Sequence, residues 1–308
     1  MDTSTDHSAT EYHRLPRSAT AHRWWRPLVV GLVALALYAS VGGLALAAVV
    51  AVGLVVPSTE PVIDRALGST LDLGDPLTFA SLLVSVALML PAVLVATRLV
   101  ARQPLGLLSS VTGRLRFRWL LRATGLALVV SVAVMALWTV VGAGTGTLSV
   151  HHVPLGTAVV LLATTLAVVP FQAAAEEYVF RGYLGQLVGS WLRHPAWAVL
   201  LPAPLFVAGH GYGLLGSVDV AAFAVVCGWL AWRTGGLEAP IALHVANNVV
   251  LMSLSSVGLG DPNANDTTAA GLVVSLVTTA VFAVLVTRQA DARGIARVRP
   301  GSAAVLAA

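Results

Sequence analysis

Apolar runs long enough to cross a membrane recur along most of the chain, and they constrain its fold more than any other feature of the sequence. A helix needs about 20 apolar residues to span the hydrocarbon core of a bilayer. Of the 308 residues, 57% are hydrophobic and only 10% are charged, whereas soluble domains have about 25% charged residues. The sequence therefore predicts an all-α polytopic membrane protein with about eight transmembrane helices. These are placed near residues 27–52, 77–97, 123–144, 155–180, 195–213, 215–232, 237–257 and 269–287.

Charged residues in the predicted loops indicate how these spans are oriented. Loop 98–122 carries six arginines and no acidic residue, whereas loop 57–76 carries four acidic residues and one arginine. Because cytoplasmic loops are enriched in Arg and Lys, the first loop is predicted to be cytoplasmic and the second extracytoplasmic. The arginines of the C-terminal tail then lie on the cytoplasmic side. Eight spans therefore place the N- and C-termini in the cytoplasm, and the predicted location is the plasma membrane of a bacterium.

The predicted spans divide the chain into five segments. These are a cytoplasmic basic tail (1–26), N-terminal transmembrane helices (27–150), the region of the functional candidates (151–260), a loop with the last transmembrane helix (261–288) and a cytoplasmic tail (289–308). The net charge of +4 reflects cytoplasmic arginines and does not indicate nucleic-acid binding. The single cysteine, Cys227, excludes an intrachain disulfide and is interpreted as a small packing residue.

A cluster of ionisable residues follows an almost wholly apolar run, 155–171. It consists of Glu176, Glu177 and Arg181. A charged side chain at the centre of a membrane costs about 2.5–3.5 kcal/mol on insertion scales, so an intramembrane carboxylate is a functional-site hypothesis. Glu177 and Arg181 lie one helical turn apart and can form a structural ion pair. Glu176 is rotated by about 100° from Glu177 and can point into a chamber. The alternative is a solvated charge cluster at a helix end.

Later spans add two histidines and an asparagine. Glu176 and His210 are equally distant from residue 193, in the predicted turn between their spans, so antiparallel helices would bring both to one level. His244 and Asn248 share one face of the seventh span. Helical rise places His244 about 10 Å away from that level, a difference that tilt or a protruding 182–193 segment must absorb.

Small residues in that protruding segment predict a close packing partner. Gly185 and Gly189 have the GxxxG spacing, and Gly182 lies one turn earlier. Without side chains, these positions would let a neighbouring backbone approach closely.

The residue types in these spans suit a hydrolytic site. Two neutral imidazoles with a carboxylate or amide oxygen can bind zinc or another borderline divalent ion. A further carboxylate could deprotonate a water molecule, provided that the site is a hydrated cavity. His210 and His244 are therefore the candidate metal ligands.

Three motifs, taken in order, resemble those of the CAAX prenyl-protease and bacteriocin-processing (CPBP, or Abi) intramembrane proteases. The motifs are Glu176-Glu177-x-x-x-Arg181, Phe206-x-x-x-His210 and His244-x-x-x-Asn248, and the resemblance covers roughly residues 150–260. It implies an eight-span α-helical fold and a glutamate-dependent, metal-assisted endopeptidase that acts on a membrane-associated protein or peptide.

The resemblance also implies roles for individual residues. It assigns Glu176 as the base that activates water, and it places His210, His244 and Asn248 in the same site. The motif leaves open whether these three residues bind a metal or stabilise an oxyanion. Glu177, Arg181 and Phe206 are then structural residues.

Other function classes are compatible with parts of this pattern. The sequence has no HExxH and no GxSG-like serine motif. Residues 258–261 read GxGD, as in presenilin-type aspartyl proteases, but Pro262 follows at once and indicates that Asp261 lies in a turn. A membrane scaffold or immunity protein could bind a partner through the same cavity. A transporter is disfavoured because the ionisable residues cluster in the second half and no inverted repeat is evident.

Overall fold

Helices form almost the entire computed structural model, which describes residues 9–56, 71–146 and 148–301. Besides a single helical turn, Gly106–Ser109, they are in chain order α1 (Arg26–Val55), α2 (Pro76–Ala101), α3 (Phe117–Thr145), α4 (Leu155–Trp191), α5 (Pro195–Leu200), α6 (Ala203–Ala208), α7 (Leu214–Thr234), α8 (Glu238–Ser256) and α9 (Ala269–Ala292). Seven of them, all except α5 and α6, are long and apolar enough to cross a membrane. The all-α polytopic fold is confirmed, and the chain is a multi-pass membrane protein.

Some predicted loop and tail residues lie outside the described residues. They are residues 1–8 of the N-terminal tail, residues 57–70 of the acidic loop, with Glu60, Asp64 and Arg65, and residues 302–308 of the C-terminal tail.

The prediction of one continuous span over 195–213 is wrong. The region contains two six-residue helices, α5 and α6. Pro202 separates them because it has no amide hydrogen with which to continue the α5 hydrogen-bond ladder. Together their rise is about 18 Å, short of the ~30 Å hydrocarbon core. The chain still crosses here, since Arg193 lies beside His13 near the N-terminus whereas Gly213 donates to Asn265 in the loop before α9.

Both tails lie on the same side of the helical bundle. Strand β1 (Thr10–Glu11) pairs antiparallel with β2 (Val298–Arg299). Trp232, near the end of α7, donates to the Glu11 carboxylate at 3.1 Å. Because both tails lie on one side, the chain must cross the membrane an even number of times. The seven long helices give seven crossings, and α5 and α6 together give one more. The cytoplasmic assignment of this side rests on the arginine pattern and stays a prediction.

The end of α4 projects beyond the membrane-spanning part of the bundle. With 37 residues, α4 is about 55 Å long, far more than a bilayer core requires. Its last turns pack against a short 3-10 helix, Tyr12–Ser18, in which Tyr12 and Leu15 are buried. A Cβ atom at Gly189 would collide with the carbonyl oxygen of His13. The predicted close backbone approach is therefore confirmed at Gly189, and its partner is the N-terminal segment.

His13 makes the docking of this segment sensitive to pH. The ring is buried and its Nε2 contacts the Arg193 carbonyl oxygen at 2.9 Å. Burial lowers the pKa of His13 from its usual 6.5; the Arg193 carbonyl and Glu11 act in the opposite direction, while Arg14 and His194 reinforce the lowering. Because the pKa is lower in the folded state, the contribution of His13 to stability is complete above about pH 6.5 and is lost as the pH falls below that value.

We expect the amides of residues 12–18 to exchange with solvent faster at about pH 5 than at about pH 7.5, after correction for intrinsic rates. Hydrogen exchange with mass spectrometry measures this difference. A His13→Gln variant keeps a donor for the Arg193 carbonyl but does not titrate, so its corrected protection should not change between the two pH values. Equal protection in the wild-type protein at both values would contradict the prediction.

Candidate active site

Glu176 and Glu177 lie where the hydrogen-bonding pattern of α4 changes. The α-helical part of α4 ends at Glu177, and a π-helical segment, Tyr178–Leu184, follows. Such π segments occur often at functional sites. The side chain of Glu177 is 0% exposed, whereas that of Glu176 is 12% exposed. Glu176 is therefore the carboxylate that a molecule entering the bundle can reach.

Glu177 forms the ion pair predicted with Arg181. The Arg181 Nη1 donates to Glu177 Oε1 at 2.8 Å, across one helical turn. The Arg181 guanidinium also lies over the ring of Phe206, 4.2 Å from its centroid. Glu177 Oε2 and Arg181 Nη2 are buried without a hydrogen-bond partner. The pair is thus enclosed, and removing either charge would leave the other uncompensated.

His244 of α8 lies between the two glutamates. Its Nδ1 is 2.8 Å from Glu177 Oε1, and its Nε2 is 3.2 Å from Glu176 Oε2. A protonated ring can donate at both nitrogens. The two carboxylates are therefore coupled through one imidazole.

Gln172 connects this cluster to Asn248. Its Nε2 donates to Glu176 Oε2 at 2.9 Å, and its Oε1 accepts from Asn248 Nδ2 at 3.2 Å. Asn248 Oδ1 in turn accepts from Asn247. Gln172 was missed in the sequence, although it precedes Glu176 by four residues and so lies on the same helix face. The result is one hydrogen-bonded network that joins α4 and α8.

His210 lies beside this network, across the buried ring of Phe206. Phe206 is 4.5 Å from His210 and 6.1 Å from His244, measured between ring centroids. The His210 Nδ1 contacts the Phe206 carbonyl oxygen at 2.7 Å, which leaves Nε2 free of that bond. Phe223 of α7 packs edge-on against His244 at 5.2 Å. Nothing in the sequence distinguishes Phe223 from the other apolar residues in that span.

The predicted metal ligands, His210 and His244, both contact other groups of the protein. In the part of the chain that the structure describes, no group of three or more His, Cys, Asp or Glu side chains could hold a metal ion. Both nitrogens of His244 contact carboxylates, and Nδ1 of His210 contacts a backbone carbonyl. As placed, these residues do not fit a complete metal site. The ligand role of His210 and His244 stays a prediction, to be tested by metal analysis of the purified protein.

Comparisons with known proteins cover the region that contains this network. Residues 156–250 match the family described as Type II CAAX prenyl endopeptidase Rce1-like. "Uncharacterized protein YyaK" from Bacillus subtilis (strain 168) is 32% identical over 98 residues, which are 30% of this chain and 33% of that protein. The chain thus matches about a third of the length of this relative. No solved structure matches the chain.

Proposed function

We propose that this multi-pass membrane protein, whose residues 156–250 are Rce1-like, hydrolyses a peptide bond of a membrane-associated protein or peptide. The observation that carries the proposal is the position of His244 between Glu176 and Glu177. The carboxylate of Glu176 is thus partly accessible, and His244 and Gln172 hold it in place inside an apolar bundle. Such an arrangement suits a general base, because its geometry is fixed and water can reach it.

Glu176 is the proposed base. It accepts a proton from a water molecule as the water oxygen attacks the carbonyl carbon of the scissile bond. The C–N bond then breaks, and Glu176 passes this proton to the departing amine. The water oxygen remains in the new carboxyl group, so the atoms and charges balance. His244 holds Glu176 in place, and the second N–H of Asn248 stabilises the negative charge that develops on the carbonyl oxygen.

Glu177 and Arg181 orient His244 in this scheme. The carboxylate of Glu177 accepts from Nδ1 and so fixes the plane of the ring, while Arg181 balances its charge. A metal ion is not part of these steps.

We expect a Gln172→Leu variant to lose about 10- to 100-fold in kcat with little change in KM, because Gln172 orients the base and does not bind the substrate. Leucine has a similar size but cannot donate to Glu176 or accept from Asn248. Steady-state kinetics with thermal unfolding as a control measure the effect. A variant that changes KM alone, or that loses activity only through unfolding, would contradict a positioning role.

Asn248 is tested by two substitutions. If Asn248 donates an N–H to the developing oxyanion, both Asn248→Asp and Asn248→Leu should lower kcat by about 10²–10³-fold. If Asn248 is instead a metal ligand, Asn248→Asp should keep or raise metal affinity while Asn248→Leu removes it. We expect the first result, because amides are weak ligands for the metals that imidazole binds. Full activity with higher metal occupancy in Asn248→Asp would contradict it.

A cleavage assay tests the proposed function itself. The wild-type chain is reconstituted in liposomes with a panel of single-pass membrane peptides and of peptides with a lipid-modified C-terminus, and new termini are identified by mass spectrometry. The double variant Glu176→Gln/His244→Ala serves as the control. We expect defined cleavage products from the wild-type protein alone. Stable binding of a panel member by both proteins, without cleavage by either, would indicate a scaffold instead.

A further inference from the structure

A cavity lies away from the two glutamates, between the first turns of α1, the end of α2 and the 183–187 part of α4. It contains about 410 Å³ of empty space, part of it open to the surroundings. The N-terminal segment covers one side of it. The side chains that matter for its chemistry are those of His22, Arg26, Thr97 and Gln186. None of the residues of the candidate active site lines this cavity.

Two buried oxygen atoms in the cavity wall have no hydrogen-bond partner. They are Thr97 Oγ1 and Gln186 Oε1, and each residue is only 1% exposed. Gln186 Nε2 is occupied, since it donates to the Leu107 carbonyl at 2.7 Å. Buried polar atoms are normally paired, so these two call for a molecule in the cavity. Because Gln186 Oε1 can only accept, that molecule must present an O–H or N–H donor.

The same cavity is positively charged. Arg26 lines it at the first residue of α1, and the first turn of that helix contains no acidic residue. The positive end of the helix dipole is therefore uncompensated at this point. The pKa of His22, in the same wall, is lowered by partial burial and then by repulsion from the positive charges of Arg17, Arg23 and Arg26. An anionic group in the cavity would relieve this repulsion.

The position of the cavity relative to the membrane narrows the class of ligand. Trp24 and Trp25 are exposed directly before α1, where amphipathic aromatic residues mark the membrane–water interface. Arg26, which lines the cavity, follows Trp25 directly in the chain, so we infer that the cavity lies near the level of the phospholipid headgroups. Its remaining wall includes apolar side chains such as Val30 and Leu187. The cavity wall therefore matches a ligand that has an anionic group, a hydrogen-bond donor and an apolar portion.

We propose that this cavity binds the headgroup of an anionic phospholipid. The phosphodiester lies against Arg26 and His22, and a headgroup hydroxyl donates to Gln186 Oε1 and pairs with Thr97. A phosphatidylglycerol headgroup has both features, whereas phosphatidylcholine has no donor and no net charge. The bound lipid fixes the N-terminal segment, α1 and the end of α4 relative to one another. This inference is independent of the proposed peptidase function.

Thr97→Val is the most informative variant because it removes an unpaired hydroxyl at nearly constant volume. Thr165 is the matched control: its Oγ1 is also buried without a partner, but it does not line the cavity. Delipidated full-length protein is titrated with dioleoylphosphatidylglycerol in detergent, and bound lipid is counted by native mass spectrometry. We expect one retained lipid per chain, about five- to tenfold weaker binding in Thr97→Val, as expected for one lost hydrogen bond, and no change in Thr165→Val.

The same assay tests whether the positive charge of Arg26 contributes to lipid binding, by means of the Arg26→Gln variant. Arg23→Gln is the control, because Arg23 is a neighbouring arginine that does not line the cavity. We expect binding to weaken about tenfold or more in Arg26→Gln only. Equal binding of dioleoylphosphatidylcholine, or equal loss in both arginine variants, would overturn the proposal. Soluble glycerophosphoglycerol binding as tightly as the lipid would also overturn it, in favour of a site for a free phosphate ester.

Discussion

Glu176→Gln is expected to abolish peptide hydrolysis while the protein remains folded. Glutamine has the same shape as glutamate but cannot accept a proton from water, and general-base catalysis contributes about 10²–10⁴-fold. The side chain is partly accessible, and an amide oxygen can still accept from Gln172. The rate should therefore fall by at least about 10²-fold, with the melting temperature in detergent within a few degrees of the wild-type value.

The matched measurement is kcat/KM for both proteins on one substrate, together with their thermal unfolding. Cleavage by Glu176→Gln within about tenfold of the wild-type rate would exclude Glu176 as the base. A variant that unfolds would show instead that Glu176 is a structural residue.

Glu177→Gln is expected to destabilise the protein strongly. The substitution leaves Arg181 without its countercharge in a buried site, and it weakens the hydrogen bond between residue 177 and His244 Nδ1. Removing one partner of a buried ion pair costs about 3–5 kcal/mol. Hydrolysis should fall as well, since the orientation of His244 depends on Glu177.

The control for this effect is an exposed ion pair in the same chain. Arg233 contacts Asp291 at 2.6 Å, but the Asp291 side chain is 56% exposed. Because exposed pairs contribute only about 0–1 kcal/mol, Asp291→Asn should leave the midpoint of thermal unfolding almost unchanged. A stable Glu177→Gln protein beside an unfolded Glu176→Gln protein would reverse the roles assigned to the two glutamates.

Most membrane crossings could be predicted from the sequence because a bilayer imposes a minimum apolar length on every span. The error at 195–213 arose because that region is apolar enough for a span, whereas Pro202 divides it into two short helices. The predicted start of the third span, residue 123, is later than the start of α3 at Phe117 for a different reason. Arg118 and Arg122 lie within its first turns and are exposed, because long side chains at a helix end can reach water from inside the helix.

The candidate site was predictable where a contact lies within one helix. The Glu177–Arg181 pair follows from helical spacing alone. The contact of His244 with both glutamates does not, since it depends on the rotation of α4 relative to α8, which the periodicity of neither helix determines. The burial of Tyr12 and Leu15 does not follow from the sequence either, because the polar, basic composition of residues 1–26 predicts only a cytoplasmic tail. Contacts between distant segments thus account for most of what the sequence did not reveal.

The proposed hydrolysis of a peptide bond within the membrane depends on the activation of water by Glu176. It is tested most directly by incubating wild-type protein and Glu176→Gln with a cleavable membrane peptide in ¹⁸O-labelled water. We expect every new carboxyl terminus formed by the wild-type protein to carry ¹⁸O, and we expect no product above background from the variant. Equal amounts of labelled product from both proteins, or no product from the folded wild-type protein, would contradict it.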